Sequence, residues 1–210
     1  MSEQSALFLA VVDGDMATAL AEVNRLLEQN VLPQDIMGDH LIPAMSEVGQ
    51  RFEENEFFVP ELLIAARAMQ ESMKILNPLL KTSGVSKAGR VVIGTVQGDL
   101  HDIGKNLVAA MLEGGGFEVI DLGVDVAAEK FVAAAQEQTG TIIALSALLT
   151  TTMPQMKMVI EALEKAGVRG QAKVMIGGAP VTAEFATDIG ADGYSENAST
   201  AVALAKRLAA

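Results

Sequence analysis

The sequence contains no cysteine, which excludes disulfides and thiolate metal sites together. Histidine is nearly as scarce: only His40 and His101 occur in 210 residues. Zinc needs more ligands than this chain offers at one place, and two distant imidazoles do not suggest a nucleophilic triad. Bases are also few, 15 against 27 acids, for a net charge of −12 shared between both halves of the chain. So acidic a chain has no electrostatic reason to seek a phosphate backbone or anionic lipid, and neither nucleic acid nor membrane is an expected partner. No uninterrupted apolar run approaches the roughly 18 residues of a membrane span. Met1-Ser2-Glu3-Gln4 lacks the basic segment and apolar run of a signal peptide. The expected location is the cytoplasm. Phosphate-cradling fingerprints are missing as well, since Gly94-Thr95-Val96-Gln97-Gly98 lacks the G-x-G-x-x-G spacing and no G-x-x-x-x-G-K-[ST] occurs.

What is present divides in two. Up to about Leu80 the apolar residues recur at helical intervals. A short helix is expected over 6–12. Asp15 can cap a second, through Ala19, Val23, Leu26 and Leu27. Pro33 opens another, through Ile36, Met37, His40, Leu41, Met45 and Val48, and a last one starts near Pro60 and passes Leu63, Ile64, Arg67, Met69, Met73 and Leu76. Short connections make this an antiparallel four-helix bundle. From Lys81 to Gly89 the residues are small, polar and glycine-containing, and read as a linker. The expected domains are a helical one over 1–83, a linker over 84–89 and an α/β domain over 90–210. In the last, β-branched runs at 91–96, 117–121, 141–146, 173–176 and 193–194 alternate with helices starting near Asp102, Ala127, Met153, Val181 and Asn197. That alternation predicts a doubly wound, flavodoxin- or Rossmann-like sheet of five parallel strands.

Open α/β sheets bind ligands outside the carboxyl ends of their strands, where strand order reverses. The loop after the first strand, Gly98-Asp99-Leu100-His101-Asp102-Ile103-Gly104-Lys105-Asn106, puts His101 at that mouth. Asp99 can hold one imidazole nitrogen and leave the other free, as carboxylate–histidine pairs do for metals. Spacing alone favours the plainer reading of Asp99 or Asp102 as a helix cap beside a surface histidine. After the third strand, Ser146, Thr150, Thr151 and Thr152 can line a polar pocket or join the Asp99–His101 pair, while Thr152 before Pro154 also reads as an N-cap. After the fourth, Gly177-Gly178-Ala179 permits positive φ and close approach of a large flat group, or simply a turn.

Asp99-x-His101-x-x-Gly104, Ser146-x-Leu148 and Gly177-Gly178 together resemble the three-part signature of the cobalamin-binding domain. Methionine synthase, base-off adenosylcobalamin mutases and the corrinoid proteins of methanogens and acetogens share that domain. The resemblance implies a cobalamin held base-off/His-on, with His101 as lower axial cobalt ligand and Asp99 on the far side of its ring. Asp102 and Ile103 would lie beside the cofactor, and Gly104 would leave room for its nucleotide tail. Ser146, Leu148, Thr150 and Thr152 would line the tail pocket, and Gly177, Gly178 and Ala179 would lie against the corrin edge or tail. Tyr194, Glu196, Asn197 and Ala198 resemble a further cofactor-contacting stretch. In the helical region, Val48-Gly49-Gln50-Arg51-Phe52-Glu53 and Phe57-Phe58-Val59-Pro60-Glu61-Leu62 resemble the cap of methyl-carrying cobalamin proteins. Phe52, Val59 and Leu62 match the cap positions that face the methyl group, although bundle core is their other reading and methionine synthase has leucine in place of Val59.

The resemblance implies a corrinoid methyl carrier that accepts a methyl group on Co(I) from a methylamine, methanol, methoxyaromatic or similar donor. Its expected partners are a substrate-specific methyltransferase, a second one serving tetrahydrofolate or a thiol, and a reductive activation protein. A cap over the methyl group must swing aside, with the linker as its hinge. The alternatives are the small subunit of an adenosylcobalamin mutase, which usually lacks the cap, and a cobalamin-dependent sensor, which needs a basic DNA-binding segment.

Overall fold

A computed structural model describes residues 5–83 and 88–210. The chain divides into two compact units, one of N-terminal helices together with Glu113–Gly116, the other of Ala88–Leu112 and Phe117–Ala210. The expected linker falls largely on 84–87, outside the described residues.

In the helical unit, α1 (Ala6–Val12) starts at Ser5, whose hydroxyl accepts from the Phe8 amide at 3.1 Å. Helix α2 (Met16–Glu28) starts at Asp15, whose carboxylate accepts from the Thr18 amide at 3.1 Å and its hydroxyl at 2.6 Å. Helix α3 (Pro33–Ile36) passes through a π turn (Met37–Leu41) into α4 (Ile42–Glu53). The turn has a cause in the sequence. Pro43 has no N–H to donate, and its ring crowds the carbonyl four residues back, so the ladder widens ahead of it and Ile42 N–H donates to Met37 O. Helix α5 (Val59–Ser83) is 25 residues long and contains Pro78. It therefore includes Lys81–Ser83, read from composition as the start of the linker. A long helix propagates at one hydrogen bond per residue and needs no apolar partner in its last turn. Leu7, Val11, Ile36, Leu41, Leu62, Met69 and Leu76 are buried in this part of the chain.

The second unit runs β1 (Arg90–Thr95), α6 (Ile103–Gly114), β2 (Glu118–Asp121), α7 (Ala128–Glu137), β3 (Thr141–Ser146), α8 (Pro154–Lys165), β4 (Ala172–Gly177), α9 (Ala183–Asp188), β5 (Gly193–Tyr194) and α10 (Ala198–Ala209). Its five parallel strands lie in the order β2-β1-β3-β4-β5. Alternate side chains feed two cores. Val92, Ile143, Leu145, Val174 and Ile176 pack with Phe131, Met156 and Leu163, whereas Val91, Ile93, Ile142, Ala144 and Met175 pack with Leu112 and Leu204. From β1 the chain winds one way to β2 and then returns to the other flank for β3, so strand order reverses between β1 and β3. Thr95, Ser146 and Gly177 share one register row at the carboxyl ends of β1, β3 and β4. The three predicted ligand loops all leave from that row.

Gly94, on β1, makes room for the fully buried Phe131: a Cβ there would stand 2.8 Å from the ring's Cζ. Gly94→Ala is expected to destabilise the full chain by about 1–3 kcal/mol in urea unfolding. The cost shrinks in a Phe131→Leu background, because the two sites share one space. An equal cost in both backgrounds would show that the ring is not the obstacle.

Candidate cofactor site at the strand switch point

Asp99 is completely buried. Its Oδ1 meets the His101 ring at Nδ1, 2.6 Å away, and accepts from the His101 amide at 3.1 Å. Oδ2 accepts from the Leu148 amide at 2.8 Å, the Leu149 amide at 3.3 Å and the Thr152 hydroxyl at 2.7 Å. One carboxylate thus ties the loop after β1 to the loop after β3. Burial pushes its pKa up, but the Thr152 hydroxyl, the Leu148 amide, and the His101 ring and amide outweigh that and hold the carboxyl well below the ordinary carboxylate range. An ionised carboxylate only accepts, so the hydrogen between Asp99 and His101 sits on Nδ1 and Nε2 is the ring nitrogen left for a metal. The His101 side chain is 49% exposed, against 0% for Asp99.

Around this pair the structure adds residues that sequence reasoning missed. The buried Thr95 donates its hydroxyl to the His101 carbonyl at 2.8 Å. Lys105, also buried, pairs with Asp121 at the end of β2 and donates to Asn106 Oδ1 at 2.7 Å, while Asn106 donates in turn to Asp102 Oδ2 at 3.2 Å. A lone cation in the apolar run after Gly104 was the available sign of Lys105. Leu100 and Ile103, on either side of His101, are 71% and 78% exposed, and Leu148 and Leu149 are exposed too. So much uncovered apolar surface beside a half-exposed imidazole marks a binding surface.

The remaining expected site residues are placed as follows. A Cβ on Gly104 would meet nothing within 4 Å, so the first turn of α6 borders open space. Thr152 caps no amide; Met153 holds the position before α8, and the Thr152 hydroxyl is drawn to Asp99 because an anionic acceptor binds it more strongly. Ser146 is half-buried at the end of β3, and Thr150 is exposed. The glycine pair answers first to the chain itself: at Gly178, φ +134°, a Cβ would stand 1.9 Å from the Ala147 carbonyl, and at Gly177 it would stand 3.1 Å from the Ser195 carbonyl. Ala179 is exposed and Tyr194 half-buried. Asn197 forms a capping box with Thr200 at the start of α10, where Ala198 is buried. In the helical unit, Phe52 is half-buried, Val59 is 39% exposed and Leu62 is fully buried.

Among the described residues no three His, Asp or Glu side chains gather to hold a metal ion. The donor set is one oriented imidazole with apolar surface beside it. It fits a metal that arrives inside its own equatorial ligand, as cobalt does in a corrinoid, and not an all-protein cage.

Thr152→Val keeps the shape and removes one donor to a buried anion, so it is expected to cost about 1.5–3 kcal/mol in urea unfolding at neutral pH. Because the folded pKa of Asp99 lies below its unfolded value, its stabilisation is present above the ordinary carboxylate range and is lost as pH falls through the folded value. Thr152→Val raises that folded value, so acid unfolding followed by circular dichroism should begin at a higher pH than in the wild type.

Residues 89–203 match the family model of the B12 binding domain, and residues 4–77 match a second model of the same description. A corrinoid protein of Desulfitobacterium hafniense is 40% identical over 211 residues, covering 99% of this chain and 98% of its own. A dimethylamine corrinoid protein of Methanosarcina barkeri is 44% identical over 202 residues, covering 96% and 94%. The crystal structure of a methanol:cobalamin methyltransferase complex from Methanosarcina barkeri superposes with a TM-score of 0.84 at 31% identity, covering 97% of this chain and 78% of that one. The Asp99–His101 pair thus sits in a fold and sequence background shared along nearly the whole chain, and the protein belongs to the family of B12-binding corrinoid proteins.

Proposed function

We propose that this chain is the methyl carrier of a three-component corrinoid methyltransferase system. A substrate-specific methyltransferase would load it, a second would pass the methyl group to tetrahydrofolate or a thiol, and a reductive activation protein would restore the cofactor after oxidation. The observation that carries this reading is the orientation of His101, whose Nδ1 is occupied by a buried, ionised Asp99 at the strand switch point while its side chain stays half exposed. When bound, the corrinoid supplies a cobalt centre that takes up a methyl group and gives it to an acceptor.

The chain's own residues do the rest. His101 would hold the cobalt through Nε2. Asp99 fixes the proton on Nδ1 and makes the ring a better donor, and Thr152, Leu148 and Leu149 hold Asp99 in place. Leu100, Ile103, Leu148 and Leu149 offer apolar surface for the ring system, and the open side of Gly104 offers room for the nucleotide tail. In the helical unit the half-buried Phe52 and the exposed Val59 would be the residues that shield the methyl group, whereas Leu62 is fully buried. The second B12-binding match, over the helical residues 4–77, favours a carrier over a mutase subunit. Among donors, the likeness to a dimethylamine corrinoid protein makes methylamines the class to test first.

Reconstitution with hydroxocobalamin, followed by reduction to Co(II) and electron paramagnetic resonance, tests the assignment. Nitrogen superhyperfine splitting is expected in the wild type and its loss in His101→Ala, with both chains folded by circular dichroism. A wild-type chain that stays colourless after reconstitution would sink the reading.

A further inference from the structure

The loop after β2 belongs to none of the three ligand loops, yet the His101 loop is tied to it. Asp125 lies there with φ 52°, in the left-handed region that a residue with a Cβ seldom occupies. Its carboxylate Oδ1 accepts from the Gly98 amide at 2.7 Å, and its own amide donates to the Asp99 carbonyl at 3.0 Å. One residue therefore grips two consecutive residues of the His101 loop, by side chain and by main chain. The grip has a firm base. The Thr95 amide donates to Gly123 O and the Val126 amide to Thr95 O, each at 3.0 Å, and Asp121 accepts from the Gly123 amide at 2.8 Å while pairing with the buried Lys105.

Packing does not demand this arrangement. Asp125 is exposed, so water would satisfy its carboxylate equally well, and its left-handed backbone costs free energy. Both features have a purpose if the position of the Gly98–Asp99 peptide matters. We propose that Asp125 is a positioning residue for the axial imidazole: by fixing Gly98 and Asp99 it sets where His101 Nε2 stands against the cobalt. The proposal rests on the corrinoid reading above and assigns a role that none of the signature motifs contains.

Three variants separate carboxylate from backbone. Asp125→Gly relaxes the left-handed residue and deletes the acceptor, Asp125→Asn keeps an acceptor oxygen and tolerates that conformation, and Asp125→Ala loses both advantages. Each full chain is loaded with hydroxocobalamin, reduced to Co(II) and read by electron paramagnetic resonance, with thermal unfolding of the unloaded chain as folding control. In Asp125→Gly the ratio of nitrogen-split to unsplit signal is expected to fall several-fold as the Gly98 amide is released, while the unloaded chain unfolds no earlier than wild type, because relief of the left-handed backbone offsets the lost bond. Asp125→Ala should lose as much splitting, and Asp125→Asn should recover the wild-type spectrum. An Asp125→Gly spectrum identical to the wild type's overturns the proposal and leaves the carrier reading intact. A wild-type chain with bound corrinoid but no nitrogen splitting overturns the axial assignment of His101, and the role of Asp125 with it.

Discussion

A carboxylate with no solvent exposure must replace every hydrogen bond that water gave it, and Asp99 does so with five donors drawn from two loops. The rest of the site follows from that requirement. The Leu148 and Leu149 amides reach Oδ2 only if the loop after β3 folds over the loop after β1, and Thr152 only if α8 begins where it does. The His101 amide and ring reach Oδ1 only if the chain turns back between Asp99 and Leu100. Leaving such an anion partly unpaired is more costly than forming any one of these bonds is favourable, so the five arrangements stand or fall together.

The sheet supplies the meeting place. Parallel strands separated by helices put every βα loop at one edge, and the order β2-β1-β3-β4-β5 makes the loops after β1 and β3 neighbours although some fifty residues separate them. Thr95, Ser146 and Gly177, in one register row, fix the depth from which the loops depart. Gly178 shows how closely they are set, since its backbone lies where any side chain would strike the Ala147 carbonyl. Its absent side chain serves the scaffold before it serves any ligand.

Much of this was legible in the sequence because it depends on local chemistry or on period. The strands expected at 141–146 and 193–194 coincide with β3 and β5, and the other strand limits and the starts of the second unit's helices lie within one or two residues of those expected. The Asp99–His101 pair was offered by spacing but singled out only with the cobalamin-domain resemblance, and Thr152 was read for either of two roles. Less was legible where a side chain's partner lies far along the chain. The bonds of Thr95 to the His101 carbonyl and of Asp125 to Gly98 leave no periodic trace, and Lys105 shows in sequence only as a lone cation ahead of an apolar run, with nothing to name Asp121 as its partner. Only the compositional reading of Lys81–Gly89 as linker overlaps α5, for another reason. Composition marks where apolar packing stops, but a formed helix continues past that point to Ser83.

In the proposed reading His101 would give the cobalt its protein nitrogen, and among the described residues no cluster of three His, Asp or Glu side chains is gathered to hold a metal, so that nitrogen would be the chain's direct hold on the cobalt. Two properties of the nitrogen are adjustable: its basicity and its position. Basicity is governed by Asp99, whose charge is secured by its donors even under burial. Position is governed by the main chain on either side of the ring, held at the His101 carbonyl by Thr95 and at Gly98 and Asp99 by Asp125. The two controls come from different elements, β3 with α8 for the first, β1 with the β2–α7 loop for the second. A substitution can therefore alter one while sparing the other. A metal site with four protein ligands lacks this separation, because moving any ligand changes geometry and donor strength together.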